Sequence, residues 1–290
     1  MLLQRVLTAI VLIAGLVLLS VFSSPFWFAV VVAVVTLLAA MEWTRFIGLD
    51  SVPAKVGYLL SLSLLLVGAF FLVGASPETR VLDFPRVVSL LAFGVVFWLL
   101  ATWLLTGYPE NTDSWNDQSH IALMGVFVLL PTWCGITQLK YIDESGFLVL
   151  GLIALVSVAD IGAYFSGRAW GRRKLAPSLS PGKSWAGFWG GMASSVILAS
   201  IFMGITSVRG APLTLTQGTL GVIGTLLVAV SSVVGDLFES MLKRNRNLKD
   251  SGATLPGHGG ILDRIDSLTA ATPFAVLWLF LVLGLGSGPL

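Results

Sequence analysis

The sequence predicts an all-α polytopic integral membrane protein of about nine transmembrane helices, and three observations carry that prediction. Hydrophobic residues make up 56% of the chain and charged residues only 11%, outside the range of soluble globular domains. The apolar residues gather in stretches of about 20, the length that crosses a hydrocarbon core of roughly 30 Å. Lys and Arg concentrate between alternate pairs of these stretches.

In chain order, the stretches between charged or Pro/Gly-rich breaks are Leu3–Phe22, Phe26–Ile47, Val56–Ala75, Val87–Thr106, His120–Leu139, Phe147–Phe165, Ala186–Val208, Gln217–Phe238 and Ser267–Leu285. The first continues past the apolar core of a signal peptide, has no small-x-small cleavage site and leads at once into the second, so it reads as a retained anchor. Cys134, the only cysteine, lies in an apolar stretch and reads as a structural thiol. With nine spans, thirteen Lys and Arg residues fall on one side and four (Arg80, Arg86, Lys140, Arg209) on the other. The positive-inside rule then places the N-terminus in the cytoplasm and the C-terminus outside. The loop with Glu110, Asp113 and Asp117 lands in the cytoplasm without a basic residue, but acidic residues weigh little in this rule.

Residues 1–140 read as a transmembrane scaffold in which almost every charge sits at a helix end or in a short loop. Residues 141–290 read as the catalytic region, with long basic cytoplasmic loops at 166–185 and 239–266. The chain shows no Gly/Ser linker, low-complexity tract or repeat, and nothing points to a nucleic-acid partner. Gly187, Gly190 and Gly191, and then Gly218, Gly221 and Gly224, have spacings that let helix backbones approach. Packing is the first reading, room for a phosphate against the backbone the second, and homodimerisation through these faces a third.

Intramembrane carboxylates are costly and mark an ion or substrate site unless paired. Asp160 and Asp236 follow apolar runs near the cytoplasmic ends of their helices, while Asp263 and Asp266, three apart, share a helix face at the entrance to the last span. Carboxylates from three segments suit Mg²⁺, which takes oxygen ligands and bridges one or two carboxylates to substrate phosphates. The alternative is pairing with a nearby base, for example Asp160 with Arg168 or Asp266 with Arg246. Ser240 and Lys243 continue the helical stripe of Asp236, with Glu239 beside it as either a supporting partner or an exposed helix-end carboxylate.

Residues 240–266 hold nine ionisable side chains in a chain otherwise built for lipid. Within them Pro256, Gly257, Gly259 and Gly260 flank His258, a permissive loop whose N–H groups could wrap phosphates. His258 could donate to a phosphate or to a departing pyrophosphate, and Arg244, Arg246 and Lys249 could serve the substrate or an anionic lipid surface. In the other loop Gly167, Gly171 and Gly182 alternate with Arg168, Arg172, Lys174 and Lys183, a polyphosphate-binding pattern. Gly182-Lys183-Ser184 is not a P-loop, because Pro177 stands where that motif needs glycine and no soluble strand precedes it.

The run Ser240, Lys243-Arg244, Lys249-Asp250, Pro256, His258-Gly259-Gly260 and Asp263-Arg264-x-Asp266 resembles the signature of the phosphatidate cytidylyltransferase, or CDP-diacylglycerol synthase, family. Upstream, Asp160, Tyr164, Gly167, Arg168, Gly171–Lys174, Ser180-Pro181-x-Lys183-Ser184 and Gly187 are also similar to it. The resemblance implies transfer of CMP from CTP to phosphatidate with release of pyrophosphate and a requirement for Mg²⁺, one ion or two. It implies that Asp160, Asp236, Asp263 and Asp266 hold metal, and that Lys243 and His258 act on the phosphates. It further implies that Tyr164, Arg168, Lys183, Ser240, Arg244, Lys249, Asp250, Gly259, Gly260 and Arg264 bind substrate. The compact length resembles bacterial members, hence an inner membrane with the site facing the cytoplasm and membrane lipids around it.

Two rivals belong beside this reading. A CTP-dependent polyprenol or lipid kinase would transfer the terminal phosphoryl group instead. An ion transporter would use Asp160 and Asp236 as mid-membrane ligands, against which stand the missing repeat and the gathering of charge at one face. A CDP-alcohol phosphotransferase is disfavoured by the absence of its spaced Asp pattern.

Overall fold

The computed structural model describes residues 2–208 and 213–283. They form nine long helices: α1 (Leu2–Phe22), α2 (Pro25–Ile47), α3 (Val52–Leu72), α4 (Phe84–Thr106), α5 (Gln118–Ile142), α6 (Phe147–Trp170), α7 (Trp185–Val208), α8 (Leu215–Asn245) and α9 (Leu262–Leu283). An antiparallel hairpin, β1 (Lys174–Ala176) and β2 (Ser180–Ser184), joins α6 to α7. Helices α2 to α9 are each long and apolar enough to cross a bilayer, eight in all, whereas α1 has a shorter apolar stretch, Val6–Phe22.

The expected spans match these helices in order but not at their ends. With 31 residues α8 is about 46 Å long, far more than the roughly 30 Å of hydrocarbon. Residues 239–245, expected as loop, are its last two turns. Likewise α6 runs on through Trp170, so only 171–184 is left of the loop expected at 166–185, and it contains a small sheet that an all-α reading lacks. Arg209 and the last expected span's end at Leu285 lie outside the described residues.

Helix starts follow local chemistry. Pro25, Pro53 and Pro85 occupy first turns, where a missing N–H costs nothing. Ser51, Asp83 and Asp117 cap α3, α4 and α5, and Thr214 with Gln217 forms a capping box on α8. The Ser119 hydroxyl and the His120 N–H hold the Asp117 carboxyl down at about 2.

Small residues set how closely the helices pack. A Cβ on Gly190 would collide with Ser166 on α6, and one on Gly191 or Gly187 would sit 2.8 Å from the Ala159 or Ala163 carbonyl oxygen. Gly224 faces Trp278 in the same way, so these four glycines serve packing within the chain, whereas a Cβ on Gly218 would meet nothing. The central helix α5 donates Trp133 Nε1 to the Ala29 carbonyl at 3.0 Å and Thr132 Oγ1 to the Thr269 carbonyl at 3.2 Å. Cys134 on the same helix is buried and unoxidised.

Helix α1 is tied at both ends. Thr8 Oγ1 donates to the Pro256 carbonyl at 3.2 Å, and the buried Lys140 ammonium donates to the Ser20 carbonyl at 2.6 Å and to that of Glu144. At the Lys140 end Gly146 has φ +79° and packs on the Ser20 backbone. Gly146→Ala combines a left-handed non-glycine residue with a clash. It is expected to cost about 1–3 kcal/mol, seen as a lower unfolding midpoint in detergent with activity retained at low temperature.

Candidate active site

Where α6, the hairpin, the start of α7 and the last third of α8 meet, they enclose a cavity of about 490 Å³. Asp160, Tyr164 and Arg168 enter it from one face of α6, spaced by four residues, Lys183 enters from β2 and Asp236 from α8. Pairing of Lys174 with Ser184 brings β2 back to the start of α7, where Ser184 Oγ accepts from Gly187 N at 3.1 Å. That turn aims Lys183 inward, with Nζ 2.6 Å from Asp236 Oδ2. Asp160 is near enough to feel both charges, and Arg168 Nη1 reaches Tyr164 Oη at 3.5 Å. Asp160 therefore faces Lys183, not the Arg168 partner that a local pairing would supply.

One turn beyond Asp236 a second cluster begins. Ser240 Oγ donates to Asp236 Oδ1 at 3.4 Å. Lys243 Nζ lies 2.8 Å from Asp263 Oδ1 and 3.6 Å from Glu239 Oε1. Glu239, for which an exposed helix-end position was one expectation, is 4% exposed, and neither of its oxygens receives a hydrogen bond. The half-buried Asp266 carboxylate of α9 is close enough for its charge to oppose those of both Glu239 and Asp236. Like charges converging on one spot favour a cation between them.

The 251–262 loop is held by carboxylates, which take the N–H groups of Ser251, Gly260, Ile261 and Leu262. Asp263 accepts from Ser251 N, Ser251 Oγ and Gly260 N at 2.8–3.2 Å, and Glu42 of α2 accepts from Ile261 N and Leu262 N at 3.0 and 2.9 Å. Gly259, at φ +83°, and Gly260 have no room for a Cβ beside these groups. Arg264 donates through Nε and Nη2 to the His258 carbonyl, bracing the loop, while His258 Nδ1 is buried with no partner.

With this geometry in view, comparison with known proteins is direct: residues 3–282 match the cytidylyltransferase family. The chain belongs to that family. It is 41% identical over 285 residues to the phosphatidate cytidylyltransferase of Pseudomonas aeruginosa, covering 96% of this chain and 97% of that one. It is 40% identical to the protein of that name from Haemophilus influenzae, covering 98% and 100%, and 33% identical to that from Bacillus subtilis, covering 93% and 95%.

Not every expected site residue of this cytidylyltransferase chain converges. Lys249 and Asp250 are exposed at the start of the loop, and Arg244, also exposed, donates to the Leu179 carbonyl at 3.2 Å, linking α8 to the hairpin. Arg246 does not pair with Asp266; its guanidinium donates to the Phe46 and Ile47 carbonyls at 2.7 and 3.3 Å. Two residues absent from the sequence reading, Glu42 and Arg45, reach the loop from α2. For Glu42 a signal was present, a carboxylate inside an apolar span, which is the feature that singled out Asp160.

Among the described residues no three Asp, Glu, His or Cys side chains form a ready-made metal cage. The donor set nonetheless fits a hard divalent cation that keeps waters and shares phosphate oxygens, because it is all oxygen and Glu239 has two buried oxygens without donors. Asp263 fits such a role least well, being hydrogen-bonded by Lys243, Ser251 and Gly260.

Proposed function

We propose that this chain catalyses CTP + phosphatidate → CDP-diacylglycerol + pyrophosphate. Near full-length identity of 40–41% to two bacterial relatives named for that activity carries the reading. A phosphatidate oxygen attacks the α-phosphorus of CTP, the bond to the β-phosphate breaks, and pyrophosphate leaves. Both reactants are polyanions, so the work of the protein is charge neutralisation and in-line positioning. Lys183 and Arg168 in the cavity, with Lys243 two turns beyond Asp236 on α8, supply the fixed positive charge, and His258 donates toward the departing pyrophosphate. No side-chain nucleophile is required, and Ser240 serves as a polar contact beside Asp236.

Mg²⁺, one ion or two, would be held by Asp236, Glu239 and Asp266, with Asp160 across the cavity, and would neutralise charge building on the phosphates. The chain's own carboxylates do the holding, and Asp263 keeps Lys243 and the loop in place. Residues 141–290 are the catalytic region and residues 1–140 its scaffold.

The orientation we infer puts the hairpin and the 251–262 loop in the cytoplasm of a bacterial inner membrane, where CTP and the lipid headgroup meet. The excess of basic residues at that end supports this, and α1, tied at both ends of the bundle, serves as a ninth span. A cysteine placed at the exposed Ser178 is expected to react with an impermeant maleimide in inverted vesicles but not in intact cells, and the reverse pattern would refute the orientation.

The activity is tested with CTP labelled at the α- or the γ-phosphate, phosphatidate and Mg²⁺. Label from the α-phosphate enters the lipid and the γ-label leaves as pyrophosphate. Label from the γ-phosphate in the lipid would make the protein a kinase, and transfer of neither would remove the proposal.

A further inference from the structure

We propose that Glu42, with Arg45, is a positioning residue for the proposed transfer, a clamp from α2 that holds the 251–262 loop in its working shape. The inference rests on the function just given. Glu42 is 3% exposed and sits inside a predominantly apolar helix, where a carboxylate is costly unless fully satisfied. Four donors satisfy it, all from one segment more than two hundred residues later: Thr254 Oγ1 at 2.5 Å, Leu262 N at 2.9 Å, and Ser251 Oγ and Ile261 N at 3.0 Å. None of these donors is charged. Two are N–H groups at the start of α9, whose positive dipole end suits the anion.

The loop is shaped around this side chain. A Cβ on Gly252 or Gly260 would overlap the Glu42 carboxylate, so glycine is required at both positions. One turn further along α2, Arg45 Nη1 donates to the Ser251 carbonyl at 2.6 Å and the Asp250 carbonyl at 3.3 Å, gripping the same segment by its acceptors. Ser251 links clamp to site: its hydroxyl stands 3.0 Å from both Glu42 Oε2 and Asp263 Oδ2. A hydroxyl has one proton, so it donates to one carboxylate at a time, and the position of Glu42 sets what Asp263 receives. Asp263 in turn holds Lys243 at 2.8 Å.

The test uses the full chain in lipid nanodiscs. Ala253 is exposed and Cys134 buried, so Ala253→Cys adds a single reactive thiol to the loop. In that background Glu42→Gln removes the charge and turns an amide N–H₂ toward a main-chain N–H. Maleimide labelling of the thiol is expected to accelerate about tenfold or more, as a buried hydrogen bond is lost. The kcat for CMP transfer is expected to fall about 100-fold, the cost of an ångström-scale misplacement, with the KM for phosphatidate nearly unchanged. Glu42→Asp should recover part of both. Wild-type labelling and kcat in Glu42→Gln would overturn the clamp. If that variant fails to fold, Arg45→Gln decides: faster labelling with lower kcat supports the proposal, and no change in either overturns it. A wild-type protein that transfers no CMP would refute the proposed function, while the labelling comparison still decides the clamp.

Discussion

Asp263→Asn is expected to lower CMP transfer by on the order of 1000-fold while leaving the chain folded in its bilayer. The Asp263 side chain is 8% exposed and accepts from Lys243 Nζ, Ser251 N, Ser251 Oγ and Gly260 N. Asparagine keeps one acceptor oxygen and replaces the other with a donor. Whichever way the amide turns, it faces either the Lys243 ammonium or the loop N–H groups with another N–H. Lys243, 16% exposed, would then have Glu239 at 3.6 Å as its remaining counter-charge, and would move toward the Glu239–Asp266 pair. The loss should appear in kcat with α-labelled CTP, since this network arranges groups that act on the phosphates. Elution from gel filtration in detergent reports the fold independently. Activity within threefold of wild type would remove Asp263 from the site.

The grouping of charge at one end of the bundle was readable because helical spacing is rigid. Asp160, Tyr164 and Arg168 line one face of α6, and that face borders the cavity. The position of Glu239 was not readable from α8 alone, since α9, whose carboxylate opposes it, arrives from the far side of the 251–262 loop. Nor was the division of the aspartates: Asp160 and Asp236 line the cavity with Lys183, whereas Asp263 pairs with Lys243, and these partners come from different segments. The hairpin escaped notice because strands of three and five residues, with Pro177 in the turn between them and Pro181 inside the second, show no alternation. Glu42 did carry a signal, a carboxylate inside an apolar span, but its partners and those of Arg45 lie more than two hundred residues away, so nothing local said what they hold. Once the loop is seen, Gly252 and Gly260 turn out to record the Glu42 carboxylate as residues with nowhere to put a side chain.

Lys183→Met is expected to reduce kcat/KM between about 100- and 1000-fold and, at the same time, to lower the Mg²⁺ concentration that gives half-maximal rate. Both effects follow from the 2.6 Å contact between Lys183 and Asp236. The ammonium neutralises Asp236 and nearby Asp160 in a cavity meant for polyanions, so its loss leaves two carboxylates facing incoming phosphate. Their repulsion falls on both substrates and should raise both KM values. The same loss frees Asp236 from a competitor, because an ammonium and a divalent cation seek the same oxygens. Lys183→Arg keeps the charge but replaces a compact ammonium with a planar fork, and it should restore substrate binding more fully than kcat. A purely structural role for Lys183 predicts lower yield and stability with an unshifted Mg²⁺ dependence. Opposite movement of rate and half-saturating Mg²⁺ therefore separates electrostatic balance in the cavity from simple support of the hairpin.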